Sequence, residues 1–212
     1  STQYIPINKL EQNNQFLQPE ASIQPSIENR TINNNNTIPL NSVITEPELP
    51  ENNSNIIYSP NEYNMLIKKI NKYNQNVSFN LIYKATIDSD KAAAFHNNCD
   101  KVGSSVVLIL TNKGKRFGGF TRCSWRGDCI AKKDNDAFIF SLDKMKTYDI
   151  IKGKDAIGCY PDFGPVFFGC QIRVYDNAFT QGGTTFEKGV NYLTNEDYEL
   201  TGGDKAFGIK EI

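Results

Sequence analysis

An abrupt change in composition near Pro60 limits this chain to one folded domain preceded by an arm. Residues 1–60 contain none of the chain's 15 glycines and only three of its 24 aromatic residues, but seven of its nine prolines. A segment with so little apolar surface cannot offset the conformational entropy that ordering would cost. The remaining residues hold 21 aromatics, which is enough for one core of ordinary domain size. We therefore place an arm at residues 1–58 and a domain at residues 59–212.

The arm is rich in Asn, Gln, Pro and Ser, and no helical or strand period is sustained along it. On its own it is expected to be disordered. Sixty extended residues reach much farther than one small domain requires, which favours the surface of a partner as the place where the arm lies. The candidate anchors on that partner are its scattered apolar side chains: Tyr4, Ile5, Ile7, Leu10, Phe16, Leu17, Ile23 and Ile27.

Charge and hydropathy argue against several classes of function. The formal net charge is −1, which speaks against nonspecific nucleic-acid binding as the main activity. Lys9 and Arg30 stand against six glutamates in the arm, which gives the arm a charge of −4 and leaves +3 for the domain. No apolar run reaches 18 residues, so no direct membrane insertion is expected. Neither a signal peptide nor a lipidation motif is visible.

The five cysteines predict a reducing, cytosol-facing location. Their number is odd and they stand in apolar or strand-like contexts, so we expect reduced, buried thiols. They are Cys99, Cys123, Cys129, Cys159 and Cys170.

The domain begins with a well-marked helix. Ser59 is a suitable N-cap, Pro60 suits the first helical position, and Glu62 completes a capping box. A short strand is predicted at residues 79–83. A second helix is predicted to start at Asp88 or Ser89, with Asp88 as its cap, and to end before residue 103. The apolar stripe of the first helix comprises Tyr63, Leu66, Ile67, Ile70 and Tyr73.

From residue 105 onward the pattern is that of strands. Residues 105–111 form a continuous apolar run, which predicts a strand buried on both faces. A hairpin turn at residues 112–115 leads into the next strand. Turn signals at a spacing of about 8–12 residues predict a two-sheet antiparallel β-sandwich, mainly β in an α+β class and flanked by helices. The further strands are predicted at residues 116–123, 137–142, 148–151, 156–160, 166–168 and 171–176.

Several short motifs follow one another in a fixed order along the domain. They are residues 83–86 (YKAT), 94–96 (AFH), 99–100 (CD), 114–121 (GKRFGGFT), 124–125 (SW), 137–142 (AFIFSL), 156–159 (AIGC), 164–169 (GPVFFG) and 172–177 (IRVYDN). Together they resemble the TLDc domain family over about 150 residues, and an Asn-rich arm joined to such a domain resembles protist versions, ciliate ones among them. The motif residues with an expected structural role are Phe95, Gly118, Gly119, Trp125, Gly164, Pro165 and Gly169.

The chain departs from the family pattern at two places. Phe168 and Cys170 stand where the family usually has glycines around Gly169, so the local turn is expected to differ. The chain stops at Ile212, short of the usual final apolar residues, so the closing strand is expected to be clipped or differently capped. The resemblance implies a sandwich flanked by helices, with roles in oxidative-stress resistance and in binding the vacuolar proton pump. It brings no agreed catalytic machinery.

A search for catalytic and ligand-binding patterns is mostly negative. His96 is the only histidine, which excludes multi-histidine metal sites and leaves few bases for a triad. His96 and Cys99 are one helical turn apart, so a reactive thiol is an alternative, although packing of His96 beside Phe95 is favoured. Gly118 and Gly119 lack the spacing of a phosphate loop and predict close packing, with Trp125 or a helix over them. We predict no catalytic residues, no metal and no cofactor.

The sequence therefore predicts a non-enzymatic interaction or structural protein. The domain is expected to dock on a large assembly while the arm threads along it. A ciliary microtubule or other cytoskeletal lattice is favoured, with tubulin or axonemal proteins as partners of a cytoplasmic protein. The alternatives are a regulator that binds subunits of the vacuolar proton pump, and an oxidative-stress protective protein with a reactive thiol at Cys99 and His96.

Overall fold

The computed structural model describes residues 54–71, 77–126, 130–169 and 171–212. These residues form two antiparallel sheets accompanied by short helices, which confirms the predicted two-sheet, mainly β fold. The arm up to residue 53, with its eight candidate anchors, lies outside the described residues, as do Cys129 and Cys170. None of the helices in the described part of the chain is long and apolar enough to cross a membrane.

The helices are short, at 4 to 11 residues. They are α1 (Pro60–Ile70), α2 (Ala85–Asp88), α3 (Ala92–Cys99) and α4 (Ala178–Gln181). The strands are β1 (Ser105–Thr111), β2 (Arg116–Thr121), β3 (Ile130–Lys132), β4 (Phe138–Ser141), β5 (Lys146–Asp149), β6 (Ile157–Cys159), β7 (Phe163–Phe167), β8 (Ile172–Tyr175), β9 (Gly183–Thr184), β10 (Ala206–Phe207) and β11 (Ile209–Glu211).

Helix α1 starts at the predicted cap. The Ser59 hydroxyl accepts a hydrogen bond from the Glu62 N–H at 3.3 Å, and Pro60 occupies the first helical position. The Glu62 carboxylate accepts from the Tyr58 N–H at 2.7 Å, one residue earlier than in a standard capping box. Leu66 is fully buried, so the helix packs its apolar stripe onto the domain.

The first sheet has the strand order β11-β1-β2-β4-β5, and the second has the order β10-β9-β8-β7-β6-β3. The predicted hairpin joins β1 to β2, where the Thr111 N–H donates to the Lys115 carbonyl at 2.9 Å. Gly114 takes φ +77° in this turn, a left-handed conformation that glycine adopts without a steric penalty. In the ladder that follows, Val107 lies opposite Gly119.

Two apolar clusters lie on opposite faces of the first sheet. The central cluster includes Phe117, Ile139 and Phe167, and the outer cluster includes Phe138 and Phe140 together with Leu66 of α1. Since successive strand residues face opposite sides of a sheet, β4 is buried on both faces and reads as an unbroken apolar run. Ile56 and Ile57, on the arm side of the expected boundary at residue 59, also belong to the outer cluster.

The structure corrects the prediction for β1. Residues 109–111 are buried, but Ser105, Val106 and Leu108 are only half-buried. Burial on both faces therefore holds for the second half of the strand and not for the first.

Two predictions in residues 79–100 are wrong. Residues 79–83 join no strand ladder. The helix predicted to start at Asp88 or Ser89 corresponds to α3, which begins at Ala92. The Asp88 carboxylate instead accepts from the Lys84 N–H at 2.7 Å. The Ala92 N–H donates to the carboxylate of Asp176 at 2.8 Å, a residue 84 positions away that no local pattern could reveal.

Candidate interaction surface and the His96–Cys99 helix

The glycine pair of β2 makes room for two aromatic rings. A Cβ on Gly119 would lie 2.4 Å from the ring of Phe167, and a Cβ on Gly118 would lie 2.9 Å from the ring of Phe140. The predicted close packing is therefore present, but the covering groups are these phenylalanines and not Trp125 or a helix. This pair builds the core and leaves no cradle for a ligand.

Trp125 is a central core residue with a satisfied polar group. It is 1 % exposed, and its ring lies 5.5 Å from the rings of both Phe95 and Phe167 in edge-on contacts. Its indole N–H donates to the Ser105 hydroxyl at 2.8 Å. Trp125 thus connects α3, β1 and β7.

The glycines of residues 164–169 also serve packing. A Cβ on Gly164 would lie 3.0 Å from a methyl group of Val174, and Pro165 next to it is buried. Gly169 has φ +73° and packs against the Asn191 side chain, whose amide donates to the Asp155 carbonyl at 2.7 Å. The described motif residues therefore hold the core and its loops in place.

His96 faces the turn between β6 and β7. Its Nδ1 lies 2.7 Å from Oδ1 of Asp100, and its Nε2 lies 2.9 Å and 3.0 Å from the carbonyl oxygens of Tyr160 and Phe163. The ring also packs edge-on against Phe95 at 5.3 Å. Both ring nitrogens are engaged with oxygen acceptors, and among the described residues neither of them bonds to the Cys99 thiol.

Cys99 is buried in the central cluster and is 4 % exposed. Burial, with smaller contributions from the Asp100 and Asp88 carboxylates, raises the pKa of its thiol to about 12. The thiolate is the nucleophilic form of cysteine, so at neutral pH this group stays an unreactive thiol. This is the opposite of what the reactive-thiol alternative requires of Cys99 and His96.

Of the three described cysteines, Cys99 and Cys159 are buried as expected, but Cys123 is only partly buried. Its Sγ donates to the Lys133 carbonyl at 3.6 Å. Burial first, and then the Asp134 carboxylate, raise its pKa above the usual cysteine value. Among the described residues no group of three or more His, Cys, Asp or Glu side chains is placed to hold a metal ion.

An apolar groove runs beside the first half of β1. Strand β11 pairs with β1 only at Leu110 and Thr111. The Thr111 N–H donates to the Lys115 carbonyl on the β2 side. In an antiparallel ladder, successive residues direct their backbone groups to alternate sides of the strand. The backbone groups of Val106 and Leu108 therefore point away from β2 and toward the groove. Its other residues include Leu81, Ile82, Trp125 and Ile212.

Three aliphatic side chains within seven residues of one another in the chain are exposed. Leu81 and Ile82 line the groove, and Ile87 follows them in α2. Leu81 is 46 %, Ile82 is 38 % and Ile87 is 74 % exposed. We call these three residues the 81–87 patch. Solvent-exposed aliphatic groups concentrated in this way are typical of surfaces that contact another protein. The sequence did not predict this patch, because the apolar pattern of residues 79–83 resembles that of a strand.

A family model described as the TLDc domain matches residues 51–212. The match covers all of the motifs between residues 83 and 177 that carry the resemblance seen in the sequence. No curated protein matches the chain.

Proposed function

Because this chain belongs to the TLDc family, we propose that it is a non-enzymatic interaction protein whose domain docks on a larger protein assembly. The observation that carries the proposal is the exposure of Leu81 and Ile82, which line the apolar groove of β1, and of Ile87, which follows them in α2. The two-sheet core behind the groove is fully packed, with Trp125 and Phe167 at most 1 % exposed. A packed core holds these aliphatic side chains in place at the surface, and the centre of a protein–protein interface is apolar in the same way.

The arm extends this contact along the same assembly. Its eight candidate anchors fall into short apolar groups divided by mostly polar stretches, so each group can enter a separate shallow site on the partner. The groups are Tyr4, Ile5 and Ile7; Leu10; Phe16 and Leu17; Ile23; and Ile27. An arm of this kind binds with lower affinity per unit area than a folded surface but covers a long stretch of partner. Because the arm and the domain are on one chain, binding of either one raises the effective concentration of the other at its own site on the partner.

The favoured partner is a ciliary microtubule or another cytoskeletal lattice, with tubulin or axonemal proteins as the contacting subunits in the cytoplasm. A lattice repeats one surface over a long distance, which suits a long arm better than a compact partner does. The alternative partner is the vacuolar proton pump, which the TLDc family is associated with. An oxidative-stress role through a reactive thiol is not favoured, since Cys99 is buried and its pKa is raised.

Co-sedimentation with purified assemblies tests the proposal. The full chain is mixed with stabilised microtubules and, separately, with the purified peripheral sector of the proton pump, and the bound fraction is measured in each pellet. We expect binding to microtubules that falls several-fold on Ile87→Asp and on deletion of residues 1–53. Ile130→Asp is the matched control, because Ile130 is an aliphatic residue that is 52 % exposed on an edge strand of the second sheet.

Each outcome decides something. Binding to the pump sector alone would replace the lattice by the alternative partner. Binding that is equal for the wild type, Ile87→Asp and Ile130→Asp would remove the 81–87 patch from the proposal. If neither assembly binds the full chain, both named partners are wrong.

A further inference from the structure

His96 joins two parts of the domain that are far apart in the sequence. It stands near the C-terminal end of α3, and residues 160–163, the turn between β6 and β7, lie against its ring. The three contacts of its ring nitrogens go to one carboxylate oxygen, that of Asp100, and to the carbonyl oxygens of Tyr160 and Phe163. The side chain is 10 % exposed, so little water is available to take over any of these contacts.

All three of these oxygen atoms are acceptors. A neutral imidazole carries one N–H and one lone pair, whereas an imidazolium carries two N–H groups. In the neutral ring, one nitrogen would turn its lone pair toward either the Asp100 carboxylate or the two carbonyls. An acceptor that faces another acceptor in a nearly buried site loses a hydrogen bond without compensation from solvent. With Asp100 ionised, the protonated ring is the form that satisfies every contact.

Charges of both signs lie around the ring, and the one in direct contact with it, the Asp100 carboxylate, favours its protonated form. Asp100 is the C-cap residue of α3, and the C-terminal end of a helix attracts positive charge. The side chains of Arg173 and Tyr175 on β8 reach the site through Phe163, with the guanidinium 5.4 Å and the phenol ring 5.9 Å from the Phe163 ring. Further titratable groups on these elements are Cys99 and Lys101 next to Asp100, and Tyr160 and Asp162 in the turn. Asp88 lies on α2, which packs against α3, and Arg126 lines the same surface pocket as Asp100.

We propose that His96 is a proton-dependent latch that closes the turn between β6 and β7 onto α3. The protonated ring donates to Asp100 on one side and to Tyr160 and Phe163 on the other, and loss of one proton breaks one of these two connections. Protonation stabilises the closed turn, and the closed form is therefore lost as the pH rises.

The chain offers a direct readout, because His96 is its only histidine. In the full chain with ¹⁵N-labelled histidine, both ring nitrogens should give imidazolium signals at pH 6. The backbone N–H of Phe163 donates to the Tyr160 carbonyl at 3.1 Å, so its hydrogen exchange reports closure of the turn. After correction for intrinsic exchange, we expect its protection to fall about tenfold between pH 6 and pH 8.5, as for one charge-assisted hydrogen bond.

Two variants separate a latch from a merely structural histidine. In Asp100→Asn the carboxamide can donate to Nδ1 of a neutral ring whose Nε2–H still donates to the carbonyls, so protection should stay high at pH 8.5. In His96→Gln protection should be pH-independent. Asp162→Asn, which alters an exposed acid of the same turn, should keep the wild-type pH dependence.

A neutral His96 ring at pH 6 in the wild type would overturn the proposal. It would also be overturned if Asp100→Asn lost protection with pH as the wild type does. If His96→Gln does not fold, the wild-type titration and Asp100→Asn still decide the question.

Discussion

At the scale of single residues, Glu199 shows how one buried carboxylate can fix a loop. It is 5 % exposed. One carboxylate oxygen accepts from the Tyr148 hydroxyl at 2.8 Å and from the Lys146 ammonium at 3.1 Å, and the other accepts from the Asn195 N–H at 2.7 Å. Burial would raise the pKa of Glu199, but the hydrogen bonds from Asn195, Tyr148 and Lys146 outweigh it and lower the pKa to about 2.

Replacing Glu199 by glutamine should lower the free energy of unfolding at pH 7 by about 1–3 kcal/mol, because the amide cannot accept all of these hydrogen bonds. The carboxylate of the wild type contributes above its unfolded pKa of 4.5, and its contribution is lost as the pH falls toward 2. The difference between the two proteins should therefore be constant from pH 7 to pH 5 and shrink below it. Urea unfolding across this range measures it.

Glu196→Gln is the control for that series, because the Glu196 side chain is 74 % exposed and its ion pair with Lys144 is long, at 3.7 Å. An exposed pair of this kind contributes little. If Glu199→Gln lowered the free energy of unfolding by the same amount at every pH, the stabilisation that we attribute to the ionised Glu199 carboxylate would be contradicted.

At the scale of elements, the sequence patterns predicted those ends of helices and strands that depend on neighbouring residues. Helix α1 begins at Pro60, directly after its N-cap Ser59, because its cap, its proline and its acidic residue are close together in sequence. Strand β1 has its predicted bounds because its apolar run is continuous. Residues 79–83 carry a similar apolar pattern but pair with no strand, and the start of α3 depends on Asp176. Pairing and capping across long sequence distances are decided by the packed fold and not by the segment itself.

The candidate surface was hidden from the sequence for the same reason. An exposed Ile87 and a buried Ile109 are the same residue type, and only the arrangement of the sheets distinguishes them. Two of the contacts of the His96 ring were hidden too, since they are made to backbone carbonyls 64 and 67 residues away. The packing role of the β2 glycines was predictable, although the rings that cover them were not.

Strand β2 allows a direct test of that packing. A Cβ at Gly118 would lie 1.8 Å from the backbone carbonyl oxygen of Val107, so Gly118→Ala must displace the neighbouring strand. Gly119→Ala would meet the buried ring of Phe167 at 2.4 Å, which can shift only by disturbing the core. We expect each change to lower the free energy of unfolding by about 1–3 kcal/mol or more, with Gly118→Ala the larger effect.

Chemical denaturation of these variants should be compared with Gly103→Ala. An added Cβ at Gly103 meets no atom within 4 Å, so its effect should stay within about 0.5 kcal/mol. Equal effects at Gly103 and Gly118 would show that loss of backbone freedom, and not the close approach of β1, explains the glycines of β2.

At the scale of the whole molecule, the first sheet is the middle layer of the domain. The central cluster lies on its inner face, and the outer cluster lies between its other face and α1. Residues 54–58 take part in this outer layer. The Ile56 carbonyl accepts from Arg116 at 3.2 Å, and the Tyr58 ring lies 4.0 Å from the guanidinium of the same residue.

Ile56→Ala in the full chain should therefore destabilise the domain as a core substitution does. Ile56 is 2 % exposed, and truncation of a buried isoleucine costs about 2–5 kcal/mol. Leu81→Ala, at a residue that is 46 % exposed, should cost much less. Thermal and urea unfolding compare the two variants, and an Ile56→Ala midpoint at the wild-type value would exclude residues 54–58 from the folded unit.

The pairing of β11 with β1 has a consequence for the chain as it is synthesised. Thr111 and its partner Ile209 are about a hundred residues apart, which takes a ribosome on the order of 5–20 seconds to translate. Until β11 has been translated, β1 lacks the strand that pairs with Leu110 and Thr111 on its side of the sheet. Folding of this domain can therefore be completed only after residues 209–211 have been made.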